Sequence, residues 1–258
     1  MKAKVTLITV FVLALIILAL QTNPAKGQVV TDGLISYWTF DKADIEGDTA
    51  KDVWGPNNGT ISGAKIAKGL VRDALEFDGA DDYVNVTKFS YTDYAELSVE
   101  ARFKVNQTNS NSICTQNQGP TGGGDFFNIY TSDNILRFGL RADDNSTWHQ
   151  AQTPFTDTKE WHHFIAVYDG KKSVLYLDGA SVAESSDFKI CKDAEDLVRI
   201  GSRAGDFGRP LDGLIDEVLM YNRALTPDEV KQNFNSEGLA VSPKEKLAIT
   251  WGEIKVSR

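Results

Sequence analysis

The sequence predicts an all-β domain, a sandwich or a barrel, on three observations. Runs of alternating apolar and polar residues recur along the chain. Asp-Gly pairs at Asp32, Asp78, Asp169, Asp178 and Asp212 punctuate them. One stretch alone carries the signals of a helix. The runs begin with "LISYWTF", "ALEFDG" and "DYVNV". In "LSVEARFKV", Leu97, Val99, Ala101, Phe103 and Val105 alternate with Ser98, Glu100, Arg102 and Lys104, the period of a strand with one buried face. "FFNIYTS" follows, and then "ILRFGLRA" puts Leu136, Phe138 and Leu140 on one side and Arg137, Gly139 and Arg141 on the other. "WHHFIAVYDG" and "KSVLYLDG" are separated by the Asp169-Gly170 pair, which predicts a hairpin with a type I′ turn. "LVRIG" and "LIDEVLMY" complete the pattern. In "TPDEVKQNF", Thr226 is the expected N-cap, Pro227 the first helical residue and Glu229 the partner in a capping box, with Leu225 and Val230 placed for a hydrophobic staple.

The ends differ from the middle. Lys2 and Lys4, the apolar run Val5 to Leu20 and the small residues Ala25 and Gly27 match a secretory signal over residues 1–27. Export is the expectation, to a secreted, cell-surface or periplasmic location, with a mature chain that does not span a membrane. Residues 28–236 form one domain, and 237–258 a polar linker followed by the β-prone "KLAITWGEIKV". That short run makes "LIDEVLMY" the penultimate strand. The first 27 residues hold three Lys and no acid, so the remainder carries 24 basic against 36 acidic side chains. Such an acidic chain lacks the basic footprint that nucleic acid requires. An oxidising compartment lets Cys114 and Cys191 form a disulfide if the fold brings them together.

"LISYWTFD", "GTISGAKIAKGLVRDALEFDGADDYVNV", "LSVEARFKV", "WHHFIAVYDGKKSVLYLDG" and "GLIDEVLMYNRALTPDEV" resemble, in order, the successive motifs of the laminin G-like jelly-roll family in the concanavalin A-like lectin/glucanase superfamily. The resemblance covers residues 33 to 236. It implies a two-sheet antiparallel jelly-roll sandwich with one short helix after the penultimate strand. It also implies noncatalytic recognition of glycans or proteins, often with calcium.

Two sets of residues are candidates for that work. Arg137 and Arg141 share the outer side of their strand, and Trp148 and Gln150 follow on what should be the adjoining strand. Guanidinium groups beside an aromatic platform suit sugars bearing carboxylate or sulfate, although arginines on a solvated face also pair with surplus acids. The second set is metal-ligating. Alternation places Asp216 on the core side with Val218 and Met220, and Glu217 on the other side with Tyr221. The family places the first and penultimate strands near each other, which would let Asp41 join Asp216 around Ca2+. Hydrogen bonds from turn amides would satisfy Asp216 equally well. The loop "GSRAGDFGRPLDG" departs from the acidic calcium loop of pentraxins, and Asp206 there is a candidate rim ligand only.

Enzyme signatures do not emerge. The E-x-D-x-E strand of laminarinase-type glycosidases has no counterpart, and His162 and His163, adjacent on a strand, point to opposite faces. The expectation is a noncatalytic module binding a glycan or polysaccharide, with an adhesive protein that binds a surface protein as the alternative.

Overall fold

The structure, a computed structural model, describes residues 27–118 and 124–238. The signal segment before Gly27 and the tail beyond Gly238 lie outside the described residues. The strands are β1 (Leu34–Trp38), β2 (Ile45–Glu46), β3 (Thr49–Ala50), β4 (Gly59–Ser62), β5 (Lys65–Lys68), β6 (Asp73–Asp78), β7 (Tyr83–Thr87), β8 (Leu97–Val105) and β9 (Ser110–Gln118). They continue with β10 (Asp125–Ser132), β11 (Ile135–Arg141), β12 (Trp148–Pro154), β13 (His162–Tyr168), β14 (Ser173–Leu177), β15 (Ala180–Glu184), β16 (Ala194–Ile200) and β17 (Asp212–Tyr221). One helix, α1 (Pro227–Phe234), follows β17.

All the pairings between strands are antiparallel, in two sheets. The eight-stranded sheet runs β15-β14-β13-β8-β17-β6-β5, with β1 also on β17; the nine-stranded sheet runs β12-β11-β10-β9-β16-β7-β4-β3-β2. This is the jelly-roll sandwich that the alternation and the family motifs predict. Its inner layer takes the apolar half of each alternating strand: Leu97, Val99, Ala101, Phe103 and Val105 from β8 meet Leu136, Phe138 and Leu140 from β11 in one core. Two sheets packed this way are held mainly by removal of apolar surface from water, at roughly 25 cal/mol per Å².

The other half of β8 is buried too, which simple alternation does not announce. Ser98, Glu100 and Arg102 face α1 and the segment around Val30, where Leu219, Tyr221, Leu225 and Val230 form a second apolar cluster. Most of the polar groups beneath α1 are matched, His163 Nδ1 being the exception. Arg102 donates to the carbonyls of Asn233, Phe234 and Ser236. Glu100 bridges His163 (2.8 Å) and Asn233 (2.6 Å). Asn233 accepts from the Val30 amide at 2.7 Å. His163 is thus a structural group. Gly27 and Ser236 form a parallel bridge on this same side. Among the described residues no helix is long and apolar enough to cross a membrane.

The disulfide left open by the sequence is not formed. Cys114 and Cys191 are both free and buried. Cys114 lies within β9 opposite Ile129 and Ile200, whereas Cys191 is tied to the end of β11 through the Arg141 carbonyl. Each thiol fills a different part of the core, as buried free cysteines commonly do.

Candidate functional site

The outer face of the nine-stranded sheet brings the predicted arginine and aromatic residues together. Register pairs Arg141 with Trp148, Gly139 with Gln150 and Arg137 with Gln152 across β11 and β12, so all of them share one face. The Arg141 guanidinium lies 5.1 Å from the Trp148 ring centre. Gly139 makes room for that indole: a Cβ there would lie 2.2 Å from Trp148 Cζ2. Gln150 Nε2 donates to the Tyr130 hydroxyl at 2.6 Å. Tyr130 in turn is flanked by Arg137 at 5.6 Å and Arg209 at 4.3 Å from its ring.

Tyr130, Arg209, Arg199, Tyr83 and Phe207 belong to this face and are not singled out by sequence alone. The parity of "FFNIYTS" is hidden by a register shift between Asp125 and Phe127, which buries both Phe126 and Phe127. Arg209 and Phe207 come from the loop after β16, which folds back over the sheet through the Ser112 amide to Arg209 carbonyl bond at 2.8 Å. Asp125 and Asp206, two acids of the region, are already engaged, and a third, Glu195, accepts from Asn117 Nδ2 at 3.1 Å. Arg203 Nε donates to both Asp125 oxygens (3.0 and 2.9 Å) and its Nη1 to Asp206 at 2.9 Å. Arg137, Arg141, Arg199 and Arg209 have no carboxylate ion-pair partner among the described residues.

The predicted metal set divides. Asp206 is held by Arg203 and by the Gly208 amide, inside its own loop. Asp41 and Asp216 do meet, at a seam in the eight-stranded sheet. One side of β17 pairs with β6 over residues 212–215 and with β1 over 218–221; the two acids fall in the gap. There β17 carries a bulge between Asp216 and Leu219, with Glu217 at φ 52°. The extra residue overturns the expected parity: Asp216 pairs with Arg102 on the outer side, while Ile215, Val218 and Met220 all keep to the core. Both acids therefore lie outside the inter-sheet core, contrary to the expectation for Asp216.

At the seam, Asp216 Oδ2 accepts from the Leu70 and Val71 amides, each at 3.0 Å, and its Oδ1 is buried without a partner. Burial is the main cause that pushes Asp216 up to about 7, with the nearby Asp41 charge adding to it. Burial likewise raises Asp41, against the Asp73 amide and Arg72. Glu217 is pushed well above the usual carboxylate range by burial; it is bonded to the Tyr37 hydroxyl. A buried orphan oxygen near a second carboxylate is what an oxygen-seeking divalent cation would take up.

A further acidic group is legible in "DGADD" only once folded. Asp78, Asp81 and Asp82 offer carboxylate oxygens within 4.8 Å of one another. Asp78 and Asp82 also line a cavity of about 270 Å³ with Lys65, Glu76, Asn106 and Asp212. Asp82 already accepts from the Asp78 amide at 3.0 Å.

These features define a class: an antiparallel jelly-roll sandwich with an arginine- and aromatic-bearing outer sheet face. Residues 78–231 match a laminin G-type model of the Concanavalin A-like lectin/glucanases superfamily, more than half of the chain, and the chain belongs to that superfamily. No curated protein matches it in sequence. Among solved structures it is similar to Trypanosoma rangeli sialidase in complex with sialic acid, at 16% identity and a TM-score of 0.63, over 80% of this chain and 33% of that one. It is also similar to domain 4 of AbnA, an extracellular arabinanase from Geobacillus stearothermophilus in complex with arabinotriose, at 20% identity and a TM-score of 0.61, over 78% and 97% of the two chains. The binding domain of Paraclostridial Mosquitocidal Protein 1 matches at 17% identity and a TM-score of 0.60, over 79% and 52%. The chain spans about a third of the length of the sialidase. At these identities the likeness is one of fold.

Proposed function

We propose that this chain is an exported, noncatalytic module that binds an acidic glycan across the outer face of its nine-stranded sheet. One observation carries the reading. In a chain with 36 acidic and 27 basic side chains, Arg137, Arg141, Arg199 and Arg209 share one face without a carboxylate ion-pair partner among the described residues, interleaved with Trp148 and Tyr130. Guanidinium groups take carboxylate or sulfate through paired hydrogen bonds, and aromatic faces pack against sugar rings. The fold neighbours solved with sialic acid and arabinotriose lend support at the level of fold.

The noncatalytic part rests on chemistry. A retaining glycosidase needs one free carboxylate as nucleophile and another as acid. On this face Asp125 and Asp206 are both held by Arg203, and Glu195 by the Asn117 amide. Calcium belongs to the other sheet, at Asp41 and Asp216, where it would be structural and would neutralise the two buried carboxylates. Asp206 has no part in it.

A glycan array on the chain from Gln28 to Arg258, run with calcium and with chelator, tests both parts. Binding of acidic glycans that persists in chelator and is lost in Arg141→Ala and Trp148→Ala is the expected result. Silence across the array together with self-association would replace this reading with the adhesive one. For the metal, calorimetry on chelator-stripped protein should show heat on calcium addition and a higher Tm. Neither occurring would remove the calcium site.

A further inference from the structure

We infer that the same face holds a second anchoring point, built from Phe207, Arg199 and Tyr83, so that its ligand is an extended acidic glycan chain rather than a terminal sugar. The inference rests on the reading of this face as a glycan site, and adds the length and direction of the ligand. Phe207 is 53% exposed, the most exposed large apolar side chain among the described residues. It is nevertheless fixed. Its backbone takes φ 57°, uncommon for a bulky residue, and the turn around it is closed by the Gly208 amide to Asp206 Oδ1 (2.9 Å) and by the Arg203 amide to the Gly208 carbonyl (2.8 Å). The ring packs edge-on to Tyr83 at 5.3 Å and lies 3.9 Å from the Arg199 guanidinium carbon.

Arg199 is the unusual member. It is only 3% exposed, and it donates to Asn85 Oδ1 and the Arg203 carbonyl with no carboxylate ion pair among the described residues. The Tyr83 ring, 4.7 Å away, and Phe207 enclose it instead. A ring whose sole role was to cover Arg199 would be closed over by the loop, yet more than half of Phe207 faces solvent. The pair presents an apolar plate backed by a positive charge, several strands across the face from the Trp148 and Arg141 pair.

The strand order gives the span. From β12, which carries Trp148, to β7, which carries Tyr83, the sheet crosses β11, β10, β9 and β16; five spacings amount to about 24 Å. Arg137, Tyr130 and Arg209 lie between the two ends. One or two sugar rings cannot reach both plates. A chain that crosses the strands, with acid groups set along it to meet Arg141, Arg137 and Arg209, can.

The test compares ligand lengths on the full chain. Disaccharides and octasaccharides of galacturonate, of heparin and of neutral xylose are titrated calorimetrically against wild type, Trp148→Ala, Phe207→Ala and Arg209→Gln, with Phe207→Leu held as the variant least able to disturb folding. We expect wild type to prefer the acidic octasaccharide over its disaccharide by at least about tenfold. Phe207→Ala should lose about that factor for the octasaccharide and none for the disaccharide, with Tm unchanged; Trp148→Ala should weaken both lengths. Stronger binding of the galacturonate or of the heparin series supports the inference and identifies the acid as carboxylate or sulfate. Equal affinity of Phe207→Ala and wild type for the octasaccharide overturns the second anchor while leaving the Trp148 site standing. Equal binding of the xylose series overturns the acidic ligand, and no binding by wild type overturns the underlying glycan reading as well.

Discussion

Asp216 is a carboxylate whose surroundings favour its neutral form. Burial and the neighbouring Asp41 raise it to about 7 from an ordinary 3.8, so the folded state holds a proton there that the unfolded chain releases. The sign follows. Stability linked to this group is fully present below about pH 4 and is lost as pH rises through about 7, for a total on the order of 4 kcal/mol in the absence of a cation. Calcium-free protein should therefore melt higher at pH 5 than at pH 8, and Asp216→Asn should flatten that difference. A melting temperature that rises over the same interval would contradict the assignment. At Gly139 the constraint is steric. Gly139→Ala drives a methyl into the Trp148 indole, so a folded variant should lose about tenfold in acidic-glycan affinity by titration. The two cysteines are buried, and burial raises the Cys114 thiol. Neither should react with a maleimide in native protein, and both should react in denaturant without reductant.

Elements show where local signals suffice. The capping box at α1 is formed as its T-x-x-E pattern predicts: Glu229 N donates to Thr226 Oγ1 at 3.3 Å and Thr226 N to Glu229 Oε2 at 2.8 Å. Arg223 holds that carboxylate as well, and brings Glu229 down to about 2. Thr226→Ala should cost about 1 kcal/mol and lower Tm by about 2 to 4 °C, read by thermal melting at neutral pH. Turns were legible in position but not always in type. At Asp169-Gly170 a hairpin forms as expected, yet Gly170 alone takes positive φ, the type II′ pattern rather than I′. The I′ geometry falls at Asp178-Gly179, where both residues have positive φ between β14 and β15. In β17 the alternation misleads, because the seam between β6 and β1 leaves two residues with no continuous partner and a bulge absorbs one of them.

For the molecule as a whole, the two sheets divide the labour. The eight-stranded sheet carries α1, the bridge between Gly27 and Ser236, and the buried acids Asp216 and Glu217. The nine-stranded sheet presents the arginines on its outer face, away from that bridge. On the proposed reading of that face, affinity for an acidic oligosaccharide should fall between 0.15 and 1 M salt, as the screening length shrinks from about 8 to 3 Å. Affinity that is indifferent to salt would mean that the arginines contribute stacking and little else.

Local pattern alone was enough for the all-β class, the apolar half of most strands, the late capped helix, and the shared side of Arg137 and Arg141; the register of β12 then adds Trp148 and Gln150. Each local feature depends on a period or a cap that a few neighbouring residues enforce. Long-range packing was needed for the side taken by Asp216, the separation of Cys114 from Cys191, and the placing of Arg209, Arg199 and Phe207 on the same sheet face as Trp148. Bulges leave no mark in the order of residues, and neighbours across a sheet are chosen by strand order, which long-range packing sets.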